Sequence, residues 1–207
     1  MASGIQRRQA MREQAREAIL AAALEVFGAS SFTQGTTADI AAKAGVSKGL
    51  VFNYFPTKEA LLQGLVEKML GESLDFWDAQ TWHGPPAEQL TAWIDTAIAQ
   101  VLRRPDFYRL YFSLSLQPGG SAAVDAALAS LEPRLSQYLA RAQALMERLG
   151  SSDPSSDARL LQCAINGLAQ VITAGPATTA SARLIAVEPL KARLAEIFMG
   201  TCGREKA

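Results

Sequence analysis

A chain of 207 residues, 49% hydrophobic and 19% charged, has material for one large domain or two modest ones and is not composed like a disordered chain. Twenty Lys and Arg balance twenty Asp and Glu, so any nucleic-acid binding must rest on local placement of charge and not on its sum. No apolar run reaches the roughly 18 residues of a membrane helix, and Arg7, Arg8, Arg12 and Arg16 stand where a signal peptide would carry an apolar core. Cys163 and Cys202 lack CxxC spacing and His83 is the single histidine, which excludes a conventional zinc site and suits a cytoplasmic chain with reduced thiols.

In chain order, the first twelve residues read as a loosely ordered basic arm, the type of segment that reaches into a minor groove or simply trails in solvent. A helix from about Arg12 to Ala29 follows, with Ile19, Ala22, Ala23, Val26 and Phe27 on one apolar face. Thr36 and Asp39 make a near-capping-box for a short helix in which Ile40, Ala41 and Ala44 share a face. Gly45 ends that helix, Ser47 caps the next, and Pro56 stops it near Phe55. Two short helices around a glycine turn are the helix-turn-helix pattern, whose second helix enters the major groove. Within that second helix Val51 and Phe55 are natural core contacts, with Phe52 a further packing candidate. Ser47, Lys48, Gly49, Leu50, Asn53 and Tyr54 remain as surface candidates. Lys48 suits guanine acceptors or phosphate, Asn53 suits adenine, and Gly49 permits close backbone approach.

A longer helix runs from Thr57 toward Trp77, burying Leu61, Leu62, Leu65 and Met69. Thr81 to Pro86 breaks it. Further helices are expected from Ala87 to Arg104, from Asp106 to Gln117, in two pieces between Ser121 and Gly150 divided near Pro133, from Asp157 to Ala174, and from Val187 to Met199. Ser151 to Ser156 reads as a polar loop. No β-alternating run is convincing, so the fold class is all-α: a three-helix N-terminal part with the helix-turn-helix, then a larger helical part. The boundary is placed between residues 1–56 and 57–207.

Gly45-Val46-Ser47-Lys48-Gly49, followed by Tyr54-Phe55-Pro56-Thr57-Lys58-Glu59-Ala60-Leu61, resembles the signature of the TetR/AcrR-type transcriptional regulators over about residues 12 to 65. The resemblance implies that Lys48, Gly49 and Leu50 face the groove and that Thr36, Thr37, Tyr54 and Lys58 meet phosphates. Leu50, Phe52 and Asn53 depart from the commoner residues of that pattern, which bears on the operator sequence and not on the binding mode. The resemblance further implies a homodimer on a palindromic operator on double-stranded DNA, released by a small-molecule effector.

The last two helices suit pairing. Leu161, Ala164, Ile165 and Leu168 form one stripe, Leu160, Gly167 and Val171 add a second apolar side, and Leu190, Leu194, Ile197 and Phe198 follow on the final helix. An intrachain core accounts for part of each stripe. An apolar or aromatic effector would be met by Trp77, Trp93, Tyr108, Tyr111, Phe112 and Met146, with Gln117, Gln162 or Asn166 as polar anchors. Each of these is also an ordinary core or interface candidate. No nucleophile elbow, phosphate loop or metal cluster is present, so no enzyme activity and no cofactor are expected. The competing reading is a helical small-molecule-binding protein or enzyme that keeps the hairpin without binding DNA.

Overall fold

The computed structural model describes residues 2–114, 120–174 and 180–202. Among the described residues there are ten helices and no strand. They are α1 (Ala2–Gln34), α2 (Thr37–Ala44), α3 (Lys48–Tyr54), α4 (Lys58–Asp78), α5 (Pro86–Arg103), α6 (Pro105–Leu114), α7 (Gly120–Ser130), α8 (Glu132–Leu149), α9 (Pro154–Thr173) and α10 (Ala180–Cys202). The all-α expectation holds. Compactness divides the chain into two units, one of Met1–Gly71 with Leu110–Leu131, the other of Glu72–Arg109 with Glu132–Ala207.

The first unit is organised around α1. Its face of Ile19, Leu20, Ala22, Ala23 and Phe27 is buried, as are Ile40 and Ala41 of α2, Val51 of α3, and Leu61, Leu62, Leu65 and Val66 of α4. The expected basic arm is instead helix, because α1 starts at Ala2. Gln6, Arg7, Arg8, Gln9, Ala10 and Met11 are all good helix formers, and neither a cap nor a proline delays the start to Arg12. Near its other end α1 is interrupted at Ser31 (φ 75, ψ 161), a region that non-glycine residues rarely occupy. Phe27 and Phe32 meet edge to face across that break, with ring centroids 5.4 Å apart. Ion pairs from Glu25 to Lys43 (2.7 Å) and from Glu17 to Lys68 join α1 to α2 and α4.

The second unit is a bundle of α5, α8, α9 and α10, in which α8 and α9 pack together and α10 packs on α5 and α9. Trp77, Leu90, Trp93, Ile94, Met146, Leu161, Ile165 and Phe198 belong to one buried cluster. Two helices begin earlier than expected. Pro154, expected in the polar loop, sits at the first turn of α9 behind the Asp153 cap, where its fixed φ suits a helix and its missing N–H goes unneeded. Asp153 Oδ1 accepts from the Ser156 amide at 3.1 Å. Helix α10 begins at Ala180, before the expected Val187, and continues through Pro189. The alanines, Arg183 and Leu184 ahead of Val187 are helix formers that extend it. Gln117 lies outside the described residues.

Candidate nucleic-acid interface

Helix α2 is held at both ends. Thr36 Oγ1 accepts from the Asp39 amide at 3.2 Å, and Asp39 Oδ2 accepts from the Thr36 amide at 3.2 Å and from its hydroxyl at 2.6 Å, a complete capping box. These bonds from Thr36 hold the Asp39 carboxyl below the usual carboxylate range. At the other end Gly45 takes φ 67, and the amides of Gly45 and Val46 return to the carbonyls of Ala42 and Ala41 at 3.2 and 3.0 Å. After this turn Ser47 caps α3, its Oγ accepting from the Leu50 amide at 3.2 Å.

Helix α3 is thereby oriented with Val51 and Phe55 in the core and Lys48, Gly49, Phe52 and Asn53 in solvent, while Leu50 and Tyr54 are half-buried. The inward face is locked by a glycine. A Cβ on Gly64 of α4 would stand 2.7 Å from Cε1 of Phe55, so the bare backbone is what lets this ring seat. The Arg16 guanidinium covers the same ring at 5.6 Å from its centroid.

The outward face carries the donors. Lys48 Nζ lies 5.7 Å from the centroid of the Phe52 ring, one turn further along α3. Phe52 is 41% exposed. It belongs with the surface residues and not with the packing candidates; its place four residues after Lys48, on the same helical face, is the signal that finds it.

The residues expected to flank this face on phosphate have partners inside the protein. Tyr54 donates its hydroxyl to the Arg12 carbonyl at 2.9 Å, tying the end of α3 to α1. Lys58 donates to the Thr33 carbonyl at 3.2 Å and sits 4.7 Å from the centroid of Phe32. Thr36 is occupied by its capping box, and Thr37 is half-buried at the start of α2. Lys58 keeps two further N–H groups for a phosphate, whereas Tyr54 and Thr36 have their hydroxyl protons engaged and would have to give up those bonds to donate to one.

The effector candidates are distributed over both units. Trp77, Trp93 and Met146 fill the core of the second unit. There Tyr108 is half-buried with its hydroxyl 3.5 Å from that of Ser73, and burial pushes its phenol up. Gln162 accepts from the Tyr138 hydroxyl at 2.8 Å and donates to Asn166 at 2.9 Å. Tyr111 and Phe112 are half-buried residues of the first unit, in edge contact at 5.5 Å.

Of the pairing candidates, Leu161, Ile165 and Phe198 are buried within the unit, and Ala164, Leu168 and Leu194 are intermediate. The solvent side of α9 carries Leu160 (58% exposed) and Val171 (48%), with Ala164 and Gly167 between them at i, i+4, i+7, i+11 spacing. On α10, Leu190 (48%) and Ile197 (47%) are exposed.

Comparison with known proteins finds likeness in sequence over the helix-turn-helix and in fold over most of the chain. Residues 19–65 match the family described as bacterial regulatory proteins, tetR family. An uncharacterized HTH-type transcriptional regulator, YvdT of Bacillus subtilis (strain 168), is 37% identical over 59 residues, 28% of this chain and 30% of that regulator's length. The matched segment is thus less than a third of the relative. Solved structures extend the likeness in fold over most of the chain. A TetR transcription regulator from Haloarcula marismortui ATCC 43049 superposes with a TM-score of 0.70 at 17% identity, covering 89% of this chain and 98% of that one. A transcriptional regulator from Rhodococcus sp. Rha1 gives 0.68 at 18% identity, covering 90% and 95%. The regulator FadR from Bacillus subtilis, solved in complex with stearoyl-CoA, gives 0.62 at 17% identity, covering 89% and 98%. Residues 19–65 are thus similar to the helix-turn-helix segment of the tetR family of bacterial regulatory proteins, and the rest of the chain shares the fold of such regulators.

Proposed function

We propose that the protein is a cytoplasmic transcriptional repressor that binds a palindromic operator as a homodimer and leaves it when a small apolar or aromatic molecule binds. In this reading residues 1–56 are the reading head and residues 57–207 sense and pair. The observation that carries it is the outward face of α3. A helix capped at Ser47 and locked inward by Val51 and Phe55 leaves Lys48, Gly49, Phe52 and Asn53 in solvent. Lys48 and Asn53 supply donors for base edges, and Phe52 and Leu50 supply apolar contact for a thymine methyl. Tyr54, Lys58, Thr36, Thr37 and Ser47 are the proposed phosphate contacts that set register.

A single α3 makes too few base contacts for specificity, and two-fold pairing is the usual remedy. Leu160, Ala164, Gly167 and Val171 of α9, with Leu190 of α10, support such pairing, because exposed apolar residues at regular spacing suit a helix–helix contact. Release requires an effector that binds the released conformation more tightly, since equal affinity for both shifts nothing. The stearoyl-CoA complex of the FadR regulator is a precedent for a ligand in a chain of similar fold. Selection of purified protein on random duplex DNA at moderate salt tests the proposal. A palindrome with half-sites about one helical turn apart is expected. A folded dimer that enriches no sequence would transfer the weight to a ligand-binding protein without a DNA role.

A further inference from the structure

A pocket of about 200 Å³ opens in the second unit, lined by Trp82, Gln89, Trp93, Arg141, Ala144, Leu145 and Arg148. Its walls are of two kinds. Trp82 and Trp93 form an aromatic side, with ring centroids 5.4 Å apart. The other side is cationic and built. Gln89, only 6% exposed, donates to the Gly84 carbonyl at 2.8 Å and accepts from Arg148 Nη1 at 2.8 Å. A buried neutral amide therefore orients the Arg148 guanidinium without neutralising it. Among the described residues no carboxylate pairs with Arg148, whereas Arg141 has Asp78 at 2.9 Å. The Trp82 indole N–H is buried and has no acceptor among the described residues.

We propose that this pocket binds a small aromatic carboxylate, its ring against Trp82 and Trp93 and its carboxylate on Arg148. The guanidinium fork matches a carboxylate in two parallel hydrogen bonds, and indole faces suit a flat ring. The volume lies below the ~300–1,000 Å³ of drug-sized sites, which favours a single-ring ligand over a long chain. An effector role for this ligand rests on the repressor reading; its binding does not.

The three tryptophans of the chain, Trp77, Trp82 and Trp93, lie together with centroids 4.6 to 5.5 Å apart, so intrinsic fluorescence reports on the site directly. The test titrates full-length protein, without DNA, with benzoate, benzamide and inorganic phosphate. Benzoate should give a saturable change, benzamide should bind about tenfold more weakly or worse, and phosphate should give none. Arg148→Gln should weaken benzoate by about tenfold or more, the loss of one charge-assisted contact. Ala144→Phe should abolish binding by filling the pocket. Ala144 is exposed, so that variant leaves the core intact, and circular dichroism checks the fold of both variants. The proposal is overturned if benzoate gives no saturable change, if benzamide or phosphate matches it, or if either folded variant binds benzoate like the parent. A failed titration leaves the DNA reading standing, and a failed operator selection leaves the pocket standing.

Discussion

Lys58 ties the start of α4 to the end of α1, and replacing it with methionine isolates that connection. The ammonium donates to the Thr33 carbonyl at 3.2 Å and lies 4.7 Å from the Phe32 ring centroid and 5.8 Å from that of Phe27. Thr33 is exposed, so water replaces the lost donor and the hydrogen bond contributes only about 1 kcal/mol. The cation–π contact at a half-exposed site adds about 0.5–1 kcal/mol. Methionine keeps the stem over the rings and recovers roughly 0.5 kcal/mol through its sulfur. Lys58→Met should therefore cost about 1 kcal/mol, and Lys58→Ala, which also strips the stem, about 2 kcal/mol. Urea unfolding followed by circular dichroism reports the helices of both units, while tryptophan fluorescence reports the second unit, where all three tryptophans lie. The loss should appear in the dichroism transition and leave the fluorescence transition in place. A change below about 0.3 kcal/mol in both variants would mean that neither the hydrogen bond nor the ring contacts of Lys58 contribute to stability. With DNA present, Lys58→Ala should also weaken binding across sequences and reduce the salt slope by about 1.

Other perturbations probe other joints of the structure. Gly64→Ala places a methyl against the seated Phe55 ring and should cost about 1–3 kcal/mol by overpacking, measured by urea titration. Asp39 has its folded-state pKa lowered by Thr36, so its contribution is present above the ordinary carboxylate pKa and is lost as pH falls through the lowered value. Thermal midpoints of the parent and Asp39→Asn should differ near neutral pH and converge in acid; a constant gap across that range would remove the capping box as the cause. Leu160→Glu with Val171→Glu should convert a dimer to monomers in sedimentation, because each leucine or valine buried in an interface contributes about 1.5–3 kcal/mol and the added charges repel. An unchanged dimer would move the pairing surface elsewhere.

Much of the helix-turn-helix was legible because its signals are local. Thr36 with Asp39, Gly45, Ser47 and Pro56 each act within a few residues, and the helices they delimit follow them. The first turns of α1 were not legible, since arginines and glutamines suit a solvated tail as well as a helix. On α9 the period was clear and the phase was not. Leu161 and Ile165 on one side, and Leu160 and Val171 on the other, are equally apolar in sequence, and only packing against α8 and α10 decides which side is buried. The pocket was hidden for a different reason. Trp82 comes from a loop, Gln89 and Trp93 from α5, and Arg141 and Arg148 from α8, with no spacing rule to bring them together. Fold-wide contacts of this kind leave no periodic trace.

If the outward face of α3 reads bases, Lys48 sets part of the sequence preference. Parallel selection of the parent protein and Lys48→Ala on one random duplex library, at one salt concentration, tests it most directly. The parent should select a palindrome, and a folded Lys48→Ala a motif with relaxed preference at the position Lys48 contacts, worth about 1–3 kcal/mol of discrimination. The same motif, enriched to the same degree by both proteins, would contradict base reading by this face.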